Sequence, residues 1–215
     1  MIGNNLLRYN LDETRFLVFD TETESLSLTN ARPWSVGWQI YQGNKLTGTH
    51  EYYLKWKDLD VSQEAAKHTH FNPQIIKDKG RDPKEIIDLF DKYLYNPEYK
   101  IVGANLLNYD VYIHNVARLE LGYKTDYSYI DRIYDTISLA RAYKLGIKIP
   151  ENKEDFLAFQ YKMSSIKQKG LKASNSVMAK EFGLIVDDSQ LHGAIYDCSL
   201  TFGVFMNLIK KIEIK

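Results

Sequence analysis

The sequence predicts an α/β domain with a mixed sheet, on three observations. Short β-type stretches come first, at 15–19, 35–41 and 47–54. From Pro83 onward the apolar residues switch to helical spacing. Further short apolar stretches at 100–104 and 132–135 then alternate with helical segments. Strands leading into alternating strands and helices imply one sheet with helices packed on it.

Residues 15–19 (RFLVF) form an apolar run that ends in an acidic cluster and read as a buried strand. Val36, Trp38 and Ile40 alternate with Gly37, Gln39 and Tyr41, the pattern of a half-buried strand. Gln42-Gly43-Asn44 is a turn, and 47–54 returns as its hairpin partner. Pro83 suits a first helical turn, and Ile86, Ile87, Phe90, Tyr93 and Leu94 make one helical stripe. Asn108 is the expected cap of a helix whose inner face is Ile113, Val116, Ala117 and Leu121, with Gly122 as its stop. Residues 136–143 form a short helix. Residues 174–182 form another, capped by Ser174 and closed by Gly183. Ile195, Cys198, Phe202, Phe205, Leu208, Ile209 and Ile212 mark the last and clearest helix.

The length of 215 residues fits one domain over 1–215 that buries its own core. A composition of 44% hydrophobic and 26% charged residues excludes a disordered chain. No apolar run is long enough to cross a bilayer, and residues 1–5 lack a basic region followed by an apolar stretch, so no secretory leader and no membrane partner are expected. Cys198 is the single cysteine, which excludes an intrachain disulfide and a cysteine zinc site and leans towards a reducing cytoplasm, a host's if the source is viral. Lys+Arg and Asp+Glu both number 28, which excludes a general basic coat for duplex nucleic acid but leaves room for a small nucleic-acid site. The 16 tyrosines fit a tyrosine-rich core or a homodimer surface.

The segment 141–172 stands apart, with eight positive residues against three negative and with Phe156, Phe159 and Tyr161 among them. It reads either as a solvated loop with a local helix or as a basic, aromatic flap over a nucleic-acid strand.

Asp20 and Glu22 sit two apart after the first strand, so extended chain puts both carboxylates on one face. That pair alone fits a metal site or an acidic turn. Asp110 lies in the first turn of a helix, where it also suits the helix dipole. His192 and Asp197, five apart, enter the last helix. Oxygen-only ligands of this kind suit hard cations such as Mg²⁺ or Mn²⁺.

Taken together, Phe19-Asp20-Thr21-Glu22-Thr23, the run 101–110 (IVGANLLNYD) and His192-Gly193-Ala194-Ile195-Tyr196-Asp197 resemble, in order and spacing, the three motifs of the DEDDh, or DnaQ-like, 3′–5′ exonucleases. Residues 135–141 (DTISLAR) and Phe182-Gly183-Leu184 are similar to further stretches of that family. The resemblance covers roughly 14–210. It implies a ribonuclease-H-like fold with a mixed five-stranded sheet flanked by helices. It further implies two Mg²⁺ or Mn²⁺ ions held by Asp20, Glu22, Asp110 and Asp197, with His192 as general base. Two such ions can clamp the attacking and leaving oxygens of a phosphodiester, and a histidine, with an ordinary pKa of about 6.5, suits proton transfer.

The family also implies substrate contacts from Thr21, Thr23, Leu26, His68, His70 and Asn105, with Leu26 beside a terminal base. Ser25 stands where the family commonly has glycine, Ala104 where it often has histidine, and Thr69, between His68 and His70, at its substrate-side histidine. Glu24 reads as solvent-exposed, and His114 as a packing or salt-linked residue.

The functions in view are three: a 3′–5′ exonuclease releasing nucleoside monophosphates from single-stranded DNA in proofreading or end trimming, an exoribonuclease of the same family, and a non-catalytic nucleic-acid-binding module. Proofreading would need a polymerase or other replication partner in trans.

Overall fold

The computed structural model describes residues 11–212; the reading of residues 1–5 lies outside them. The strands are β1 (Arg15–Thr23), β2 (Pro33–Gln42), β3 (Lys45–Leu54), β4 (Gly80–Arg81), β5 (Tyr99–Gly103) and β6 (Ile133–Asp135). They form one sheet in the order β4-β3-β2-β1-β5-β6. The β1–β2 and β2–β3 pairs are antiparallel, and β3–β4, β1–β5 and β5–β6 are parallel, so the sheet is mixed. The helices are α1 (Gln63–His68), α2 (Pro73–Lys79), α3 (Pro83–Leu94), α4 (Asp110–Glu120), α5 (Thr136–Leu145), α6 (Lys153–Ser165), α7 (Asn175–Glu181) and α8 (Ala194–Lys211).

The side-chain alternation of β1 divides the core in two. Phe16 and Val18 face α8, where Phe16 meets Phe202 and Phe205 at ring-centroid distances of 5.6 and 5.5 Å. Leu17 and Phe19 face the opposite layer, made of Ile86, Ile87, Phe90 and Leu94 from α3 and Val111 and Ala117 from α4. Truncating a buried aromatic such as Phe205 would cost about 3–5 kcal/mol.

Several expectations are corrected by this architecture. The sheet has six strands, not five. The sixth, β4, pairs only Gly80 and Arg81 with Tyr53 and Leu54, too short for any alternation to show in sequence. β2 is buried on both faces from Pro33 to Tyr41 rather than half-buried, because the sheet is covered by a helical layer on each side. β1 runs through Thr23, so Asp20 and Glu22 lie within the strand and not beyond it. Asn108 does not cap α4: it ends a 3₁₀ turn at Leu106–Asn108, and Tyr109 occupies the cap position without a side-chain bond to the helix backbone. Ser174 holds the cap position of α7, but its hydroxyl meets Ser176 rather than the backbone.

The hairpin turn, the α3 stripe and the start of the last helix lie where the pattern puts them. Gly43 takes φ +56° in the two-residue β2–β3 turn, a conformation that suits glycine. Among the described residues no helix is long and apolar enough to cross a membrane.

Candidate active site

Three elements deliver acidic side chains to the C-terminal end of β1. Asp20 and Glu22 project from β1 on the face that carries Phe16 and Val18, towards α8. Asp197 stands in the first turn of α8. Carboxylate oxygens of Asp20, Glu22 and Asp197 all lie within 4.8 Å of one another. Asp110 opens α4, only 3% exposed, and its Oδ1 accepts from the Thr21 hydroxyl at 2.6 Å. Thr21 points to the opposite face of β1 from Asp20, and so ties α4 to the strand.

Gly37 lets α8 come this close. It pairs with Asp20 across β1 and β2, and a Cβ there would lie 2.8 Å from the Ala194 Cβ and 3.1 Å from the Ala194 carbonyl carbon. Any side chain at position 37 would push the N-terminus of α8, and Asp197 with it, away from Asp20.

Burial and mutual repulsion dominate the electrostatics. Burial, and then the charges of Asp110, Glu22 and Asp197, raise the Asp20 carboxyl well above its usual range. Burial with the Asp197 and Asp110 charges pushes Glu22 up to about 9. Asp110 rises to about 7, chiefly through burial and despite the Thr21 hydrogen bond. Asp197 is also raised by burial. None of the four is ion-paired to a lysine or arginine among the described residues. Buried carboxylates without a positive partner are costly unless a cation or protons balance them. The all-oxygen donor set fits a hard divalent cation such as Mg²⁺ or Mn²⁺.

A cleft of about 580 Å³ opens beside the cluster, within the usual range of ligand pockets. Thr21, Glu22, Thr23, Leu26, His68 and His192 line it. Leu26 is 77% exposed at this surface. His192 is exposed, and its backbone N–H donates to Asp197 Oδ2 at 3.1 Å. Two of the residues expected at the substrate are not in the lining. Asn105 sits in a left-handed turn and accepts from the Asn108 amide, and His70 bonds the Leu191 carbonyl.

Ser25, Ser62, Ala65 and Tyr109 also line the cleft. The Thr23 and Tyr109 hydroxyls meet each other and both reach the Ser25 carbonyl. Tyr109 precedes Asp110 in the second motif, a signal in plain view; Ser62 carries none, because only the folded chain brings it here.

Glu24 is buried rather than exposed. Its carboxylate accepts from the Arg32 guanidinium at 2.7 and 3.0 Å, from the Arg32 backbone at 2.9 Å and from the Asp60 backbone at 3.0 Å. It therefore joins the loop carrying Ser25 and Leu26 to the loop that leads into α1, which are two walls of the cleft. Asp135 does similar work from below. One oxygen caps α5 at Ile137 and Ser138, and the other accepts from the Leu107 N–H, pinning the turn before Asp110. His114, as expected, packs inward: it bonds Asp91 at 2.7 Å and the Tyr129 hydroxyl at 3.2 Å.

No family model matches the chain, and no curated protein matches it by sequence. Solved structures do. A zinc-bound Escherichia coli exonuclease I–single-stranded DNA complex superposes with a TM-score of 0.70 at 17% identity, covering 92% of this chain and 40% of that one. The same enzyme in complex with a dA16 oligonucleotide gives a TM-score of 0.69 at 19% identity, covering 92% and 41%. A product-bound exonuclease I gives 0.69 at 16%, covering 92% and 43%. This chain thus spans about two fifths of the length of these neighbours. At such identities the likeness speaks for architecture alone: the mixed six-stranded sheet with its helical layers is the ribonuclease-H-like fold that these neighbours share.

Proposed function

We propose that the chain is a divalent-metal-dependent 3′–5′ exonuclease of the DEDDh type that removes nucleoside monophosphates from single-stranded DNA. The observation that carries this reading is the convergence of Asp20, Glu22 and Asp197 within 4.8 Å, with buried Asp110 beside them. Three separate stretches of sequence meet at one point with the ligand types that phosphodiester hydrolysis needs. The choice of DNA draws on neighbours whose structures hold single-stranded DNA oligonucleotides.

Asp20, Glu22, Asp110 and Asp197 would hold the metal, which supplies charge neutralisation at the phosphate and an acidified water. The chain's own residues do the rest. His192, at the cleft wall beside Glu22, takes the proton of the attacking water on its imidazole. The water oxygen bonds to phosphorus as the bond to the 3′ oxygen of the preceding nucleotide breaks. Thr21, Thr23, Leu26 and His68 line the space for the terminal nucleotide, with Leu26 offering an apolar face to its base. Lys162, Lys167 and Lys169, exposed and without an ion pair among the described residues, hold the strand upstream.

The test is digestion of matched, labelled single-stranded DNA and RNA with Mg²⁺ or Mn²⁺. A ladder shortening by one nucleotide from a free 3′ end is expected, abolished by EDTA and nearly abolished by Asp20→Ala. Stronger digestion of RNA would reassign the substrate. Efficient cutting of a circular single strand, or full activity in EDTA, refutes the reading.

A further inference from the structure

His70 leaves the substrate cleft and crosses to the loop that carries His192. Its Nε2 donates to the Leu191 carbonyl at 3.1 Å. On the same side, the His68 ring lies 6.4 Å from the His192 ring in an edge-to-face arrangement. His70, and His192 immediately after Leu191, are each held in an uncommon backbone conformation, with φ +53° and +65°. Left-handed residues other than glycine cost on the order of 1–3 kcal/mol and persist where their surroundings hold them.

The remaining bonds of the 187–193 loop come from itself or from its own side of the fold. Asp187 accepts from Ser189 and Gln190, and Gly193 donates to the Gln190 carbonyl. The Tyr196 hydroxyl of α8 accepts from the Asp187 N–H, and Lys180 of α7 pairs with Asp188. These bonds shape the loop and tie it to α7 and α8. The His70 bond reaches it from the α1–α2 side, the wall that faces His192 across the cleft.

We infer that His70 is a positioning residue: by holding the Leu191 carbonyl it sets where the His192 imidazole stands relative to Glu22. For its kinetic effect the inference rests on the exonuclease reading; for the loop order it does not. A misplacement of about 1 Å in a catalytic group can cost roughly 100-fold, so losing the tie should lower kcat by about 10- to 100-fold with KM little changed.

Two substitutions separate the bond from the backbone. His70→Gln keeps a donor at similar reach. His70→Asn tolerates the left-handed backbone but is too short to reach Leu191. His70→Asn should lose kcat and His70→Gln should restore most of it. His70→Asn should add little on a His192→Ala background, because both act through the same imidazole. Independently of activity, amide hydrogen exchange across 189–193 should speed up in His70→Asn and not in His70→Gln. Unchanged exchange together with unchanged kcat in His70→Asn overturns the inference. So does a rise in KM at constant kcat, which would make His70 a substrate contact. A parent inert on both nucleic acids defeats the exonuclease reading instead, and the exchange result then decides the loop tie alone.

Discussion

His192 and Asp197 are five residues apart, and the His192 backbone N–H donates to the Asp197 carboxylate at 3.1 Å, yet they are assigned different work. Asp197 belongs to the oxygen cluster, whereas the His192 ring is exposed on the cleft wall. Removing a general base costs about 10²–10⁴-fold. His192→Ala should therefore lower kcat by that factor while metal affinity, read by isothermal titration, stays near the parent value. Asp197→Ala should weaken the metal itself. Parental kcat in His192→Ala, or a loss explained wholly by absent metal, would show that His192 is not the base. At this scale the motif residues were legible because their chemistry and order are visible along the chain. Glu24 was not: nothing in its neighbours shows that Arg32, eight residues on, folds back to grip it, or that Asp60 adds a further donor. Gly37 likewise reads as an ordinary strand glycine until α8 is packed against it.

The elements were legible where a pattern runs long enough to repeat. The α3 stripe and the α8 stripe each span several turns, and both helices fold as their spacing predicts. The six- and seven-residue helices α1 and α2 bury little and show no periodicity, so only the fold reveals them. The basic segment 141–172 shows how charge counting alone falls short. Its first residues finish α5, and α6 then packs inward through Phe156, Gln160 and Met163. Gln160 bonds the backbone of Ile133 and Asp135 at the β6 edge. Arg141 spends its charge on the carbonyls of Met163 and Ser164, Lys144 pairs with Glu181, and Lys153 with Asp131. Lys162, Lys167 and Lys169 are exposed and make no ion pair among the described residues. These three are the candidates for the strand upstream of the cut. Each phosphate contact on a single strand contributes roughly 0.7 to the slope of log K against log salt. Neutralising all three to glutamine should raise KM on a long strand and flatten that slope by about 2. A slope and KM that both stay put would make α6 and its following loop a structural layer only.

Across the whole molecule the charges balance, 28 against 28, so no large net charge arises near neutral pH to drive unfolding. The carboxylate cluster then dominates the response to pH. Its members are held above the unfolded carboxylate range of about 4, with Asp110 at about 7 and Glu22 at about 9. Between those limits the native state keeps protons that the unfolded chain has released, so the stability of the metal-free protein falls as pH rises. His50 works the other way, since burial lowers its pKa, but that contribution is complete above about 6.5. From pH 7 to pH 9 the carboxylates therefore set the trend. In EDTA the melting temperature should drop over this interval. Mg²⁺ or Mn²⁺ should restore it at pH 9, where the cation replaces protons already lost, and metal binding at pH 7 should release protons into weakly buffered solution. Glu22→Gln removes a group held up to about 9 and should flatten the EDTA curve; because it also relieves repulsion on Asp20 and Asp197, it should raise the melting temperature at pH 9 without metal. The buried Cys198 thiol, raised by burial and then by the Asp20 charge, destabilises in the same direction as pH climbs, so the Glu22→Gln comparison is what assigns the slope to the cluster. A metal-free melting temperature that is flat or rising from pH 7 to pH 9, or a parental slope in Glu22→Gln, would mean that the four carboxylates do not share the strained, proton-hungry site described here.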